Sequence, residues 1–209
     1  MQRKWLCACA IVLAASSSAE AQDPPAPIGP LVADLGGTLP KFRDDPGLAA
    51  SRGLSQAELP GRAIGLDAGA HVYPLRFGPV TVGLGAQVAV LRSRAKAEAP
   101  LQSVTAHFIS VAPQLSLNFG TGDGWSYISG GIGVSRLSIV PDGGQPQTAD
   151  QTWVRTTTYG GGARWFVKRH LAFHFDVRVH QAEPGPVQLT LPGSPRTNLL
   201  VISAGVSVK

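Results

Sequence analysis

Between Leu171 and His180 apolar and polar residues alternate almost without error. Leu171, Phe173, Phe175, Val177 and Val179 share one parity; Ala172, His174, Asp176, Arg178 and His180 share the other. Side chains of a β-strand switch faces at every residue, so this segment has one apolar face and one carrying charges and imidazoles. The same period recurs upstream. Ile64, Leu66, Ala68, Ala70 and Val72 alternate with Gly65, Asp67, Gly69, His71 and Tyr73, and the even residues from Val80 to Val90 alternate with Thr81, Gly83, Gly85, Gln87 and Ala89. Ile109 to Phe119 and Leu200 to Val208 repeat it.

Alternation and Gly/Pro/Asp punctuation predict eight strands: Leu31–Leu39, Ala63–Tyr73, Val80–Leu91, Val104–Phe119, Trp125–Val140, Trp153–Val167, Leu171–Gln181 and Asn198–Val208. Gly36, Gly37 and Pro40 make the first short and weakly specified. The connections are of two kinds. Pro40–Arg62, Arg92–Ser103, Pro141–Thr152 and Ala182–Thr197 are long and polar, whereas Pro74–Pro79, Gly120–Gly124 and Lys168–His170 are short. Long loops at one rim and tight turns at the other are the pattern of an up-and-down membrane barrel.

Composition decides which face meets which solvent. Only 15% of residues are charged, too few to coat eight strands in water. The apolar runs are about as long as the 9 to 11 residues a tilted strand needs to cross a bilayer, or slightly shorter. Gly, Ser, Thr and Gln fill the other face, as the interior of a narrow barrel requires. The expected fold is therefore all-β: a closed antiparallel up-and-down transmembrane β-barrel of about eight strands, spanning 31–209. Tyr73, Phe77, Phe119, Trp125, Tyr127, Trp165 and Phe173 flank the short turns and are expected to form an aromatic girdle at a membrane interface.

The amino terminus reads as an export signal. Arg3 and Lys4, the apolar run Leu6–Ala15 and the small-x-small pattern Ala19-Glu20-Ala21 predict a cleaved signal peptide over 1–21. Residues 22–30 form a Pro-rich lead, expected as a solvated periplasmic spacer. Cys7 and Cys9 leave with the signal, so the mature chain has neither disulfide nor thiolate. Cleavage also moves the net charge from +5 to +4, because Arg3, Lys4 and Glu20 are lost. The basic residues are scattered, which argues against nucleic acid as a partner.

In this arrangement the chain resembles the small eight-stranded outer-membrane barrels of the OmpA and OmpX type, and more loosely the OmpW-like and opacity-type barrels. The resemblance implies a Gram-negative outer membrane as location, its lipids and lipopolysaccharide as neighbours, passage through the barrel-assembly machinery, and a monomer. Such barrels usually end in an aromatic residue; this chain ends Ser207-Val208-Lys209.

The inward parity carries Asp34, Asp67, His71, Arg164, His174, Asp176 and Arg178, with Gln87 and Gln114. Two arginines against three aspartates, with two histidines nearby, can be paired, and a lumen of eight strands is narrow enough for them to fill. Across the hairpin Arg164 faces His174 and is expected to reach Asp176 diagonally, while Gly160 leaves room for Arg178. This points to a structural charge network and a non-enzymatic protein with a structural or surface-interaction role. The alternatives are a narrow pore or transporter for small apolar molecules, and a lipid-modifying enzyme using His107 with Ser110, or His174 with Asp176 and Ser203. No cofactor or metal is expected: Asp67 and His71 share a face but complete no ligand set. His170 and His180 at strand ends are expected to be solvated. Arg136 falls on the lipid parity with Ile128, Ile132 and Val134. Either a bulge at Gly130-Gly131 resets the parity, or Arg136 lies near the long-loop rim and snorkels to headgroups; the second is favoured.

Overall fold

The structure is a computed structural model that describes residues 27–42, 45–59, 61–95, 101–187 and 194–209. The signal peptide, most of the lead and parts of three long loops lie outside the described residues. Eight strands, β1 (Leu31–Lys41), β2 (Ile64–Phe77), β3 (Val80–Ala95), β4 (Val104–Thr121), β5 (Gly124–Pro141), β6 (Val154–Lys168), β7 (Leu171–Ala182) and β8 (Thr197–Val208), pair in sequence order. An antiparallel ladder from β1 to β8 closes the barrel, which leaves no open sheet edge.

Three strands run clearly past their expected ends, β3 by continuing its ladder with β4 as far as Ala95 opposite Val104. β1 continues through Pro40 to Lys41 because its ladder to β8 runs as far as Lys41 opposite Leu200. β2 runs to Phe77, carried past Pro74 by a register shift between Val72 and Leu75. A bulge is where a strand tolerates a residue without an N–H donor. The first turn then narrows to Gly78-Pro79, with Gly78 at φ +57, a conformation that favours glycine.

The outer wall is apolar and bare: Leu66 is 62% and Ile128 57% exposed, amid a belt of Leu, Val, Ile and Phe from every strand. A belt of that extent marks a surface whose natural solvent is not water. The interior has three layers. Next to the short turns Val32, Trp125 and Tyr127 are buried with Tyr73 and Phe166 against them, and Ile28 packs among them, so the described end of the lead is not the solvated spacer expected. The middle is polar and charged. Toward the long loops lies a second apolar layer of Phe42, Ala63, Ala89, Leu91, Phe108, Leu199 and Val201.

The first long loop folds over that layer. Asp45 caps the short helix α1 (Pro46–Ser51), its Oδ1 accepting from the Gly47 and Leu48 amides at 2.8 and 3.1 Å, and Pro46 starts the helix where no N–H is needed. Leu48, Ala49 and Leu59 pack on Val104, Ala106 and Ile139. Arg52 forms a buried ion pair with Asp150 of the third long loop, whose other oxygen accepts from the Ile139 amide at 3.0 Å. Glu58 accepts from the Ser55 and Gln102 amides, each at 2.7 Å, tying the first long loop to the second. These amides hold the Glu58 carboxyl below the usual glutamate range.

Candidate functional site: the charged layer of the lumen

Strand parity aims the seven predicted residues into one space. Odd residues of β2 as far as Tyr73 and of β3, β5 and β8, and even residues of β1, β4, β6 and β7, point inward; the β2 bulge turns Leu75 and Phe77 outward. Asp34 is a hub. Arg164 grips its two oxygens from Nε at 2.9 Å and Nη2 at 2.5 Å, and Ser207 Oγ donates to Oδ1 at 2.5 Å. His71 Nδ1 stands 3.5 Å and His174 Nδ1 3.9 Å from the same carboxylate. The Arg164 guanidinium lies over Tyr127, 4.3 Å from the ring centre, which adds a cation–π attraction in a desolvated place.

Asp176 is the second hub. Arg178, two residues along the same strand face, reaches it from Nε at 3.2 Å and Nη2 at 3.1 Å, and Tyr127 donates its hydroxyl at 2.8 Å. The rest of the Arg178 fork donates to Gln114 at 2.9 Å and Ser129 at 2.7 Å, while Gln114 donates to Thr158 at 2.6 Å. Gln87 donates to Asp67 at 3.4 Å, at the long end of hydrogen-bond range. Glycines clear the room: a Cβ on Gly36 would stand 2.6 Å from Asp67 Oδ1 and 2.9 Å from His174 Nε2. Between these groups remains about 10 Å³, no more than about one water.

No protein-family model matches the chain, and no curated protein matches its sequence. Solved structures do match its shape. Neisserial surface protein A superposes with a TM-score of 0.53 at 15% identity, over 86% of this chain and 96% of that one. Ail of Yersinia pestis, in its complex with the heparin analogue sucrose octasulfate, superposes with 0.50 at 14% identity, over 86% and 99%. The fold is that of a small outer-membrane barrel.

Several expectations need correction. Arg164 pairs with Asp34, not Asp176, because Asp176 is occupied by Arg178 and Tyr127 and the lumen is narrow enough for β6 to reach β1. Tyr73, Trp125 and Tyr127 are not in the girdle. They share parity with Asp67, His71 and Ser129, so they point inward, where Trp125 is 3% exposed, edge-on to Tyr73 and stacked on Phe166 at 5.2 Å. Phe77, Phe119, Trp165 and Phe173 stay outward and exposed. His180 is not solvated: it is buried against the Phe108 ring, with Ser110 Oγ 3.3 Å from Nδ1. The β7 wall continues past it to Ala182. His170 is exposed, its Nδ1 3.1 Å from the Lys209 carbonyl oxygen.

The arrangement offers little chemistry. His107 points outward and Ser110 inward, so they form no pair. His174 turns Nδ1 to Ser207 Oγ at 3.1 Å, and Asp176 is taken up by arginine and tyrosine. Among the described residues no three His, Cys, Asp or Glu are placed to hold a metal ion. Alternation did not reveal the inner apolar layer, yet its signal was present. Leu91, Phe108, Leu137, Ile139, Leu199 and Val201 are large apolar residues on the inward parity, all toward the loop ends of their strands.

Proposed function

We propose that this chain is a non-enzymatic outer-membrane protein, exported through its cleaved signal peptide, whose barrel is a closed plug and whose activity lies at its outer surface and long loops. The observation that carries this reading is the filled lumen. The charged and polar side chains leave about 10 Å³ at mid-height, with apolar side chains packed on both sides. A pore needs a continuous wet path, and a lipid-active enzyme needs a nucleophile and base open to the membrane interface. The charged layer supplies neither. The short turns face the periplasm and the long loops the exterior, the orientation usual for such barrels. The exterior then presents α1 and the third loop, held together by Arg52 and Asp150. The test is conductance of the purified, folded protein in planar bilayers. No unitary steps are expected; reproducible steps at neutral pH would overturn the plug.

A further inference from the structure

On the outside of the wall, where β3, β4 and β5 approach the long-loop rim, residues 142–151 stand over a groove of about 570 Å³. We propose that this groove is a site for the phosphate of an outer-leaflet lipid headgroup, a reading that rests on the membrane placement above. Arg92 lies directly opposite His107 on the neighbouring strand, His107 opposite Ser138, and Arg136 opposite Ile109. All of them line the groove except Ile109. No parity reset occurs along β5, so Arg136 sits on the lipid face by the ladder itself.

The charge balance leaves the groove cationic. Its two carboxylates are already engaged, Asp142 with Arg94 at 2.7 Å and Asp150 with Arg52 and the Ile139 amide. Among the described residues Arg92 and His107 have no hydrogen-bond or carboxylate partner, and Arg136 has only the Trp153 ring, 5.5 Å from its guanidinium. Two permanent positive charges and an imidazole therefore face one space without a counter-ion from the chain. Height selects the ligand. One step down the same faces of the three strands stand Val90, Ile109 and Val134, the ends of the apolar runs, with Arg136 itself in register with Ile109 at the edge of the belt. A groove immediately beyond that belt, bordered by a tryptophan, is at headgroup level, where phosphates concentrate. Arginine's planar fork suits phosphate, and two arginines with a serine hydroxyl suit a monoester with several free oxygens.

The test is native mass spectrometry of the folded mature chain in micelles, with bisphosphorylated and dephosphorylated lipid A as probes in competition. The bisphosphorylated lipid should be retained, and Arg92→Ser with Arg136→Ser should weaken it about ten-fold or more. Arg155→Ser, which removes an exposed arginine 3.9 Å from Glu183, should leave retention unchanged. Equal retention of the two lipids, indifference to the double substitution, or inorganic phosphate binding as tightly as the lipid would each overturn the site. The heat-dependent gel shift of a folded barrel, run on every variant, separates loss of this site from failure of the membrane-barrel reading. A chain lacking that shift sinks the barrel reading itself.

Discussion

The lumen is closed in two different ways along its length. At mid-height Asp34, Arg164, Asp176 and Arg178 fill it with paired charges; nearer the loops Leu91, Phe108, Leu199 and Val201 fill it with hydrocarbon under the α1 cap. The wall is the same sheet in both places. What differs is the cost of a mistake. A missing methyl group leaves a cavity, whereas a missing partner leaves a buried charge with nothing to replace water. The charged layer should therefore be the more fragile to single changes and the more tolerant of paired ones.

Asp34→Ala tests this most severely. It leaves the Arg164 fork and the nearby histidines facing a hole, and should destabilise the barrel by about 3–5 kcal/mol. Combining it with Arg164→Met should restore much of that loss. Denaturant titration of folded protein in micelles, read by gel shift, measures both. If the double variant is no better than the single one, pairing is not what holds this layer. Leu91→Ala, 1% exposed in the apolar layer, should cost about 2–4 kcal/mol in the same titration. An effect under about 0.5 kcal/mol would mean that the apolar layer is loosely packed.

The smallest effect concerns the cap. The Ser55 and Gln102 amides stabilise the ionised Glu58 carboxylate, so its contribution is present above the usual glutamate range and fades as pH falls through its lowered value. The Gln102 and Ser55 amide resonances should titrate below the range of a free glutamate. A midpoint within that range would detach the first loop from the second.

Much of this architecture is legible in one dimension because a strand's side-chain period is local. Ile64 to Val72 and Leu171 to His180 declare their faces without reference to any neighbour, and the three short turns are too short for anything but antiparallel strands on either side. The same logic would have placed Tyr73, Trp125 and Tyr127 inside, had parity been ranked above their nearness to a turn. It exposes Arg136 as an outward arginine too.

Partner choice is another matter. Asp34 meets Arg164 across 130 positions of sequence, and Arg52 meets Asp150 across 98. Neither pair follows from spacing, because both depend on where the closed barrel brings opposite walls and separate loops together. The sequence by itself determined the strands, their faces and the number of charges to be housed. Only the tertiary structure decided which charges neutralise one another inside, and which arginines are left uncompensated on the outside. Alternation is a property of each strand, but neutralisation depends on distance in three dimensions.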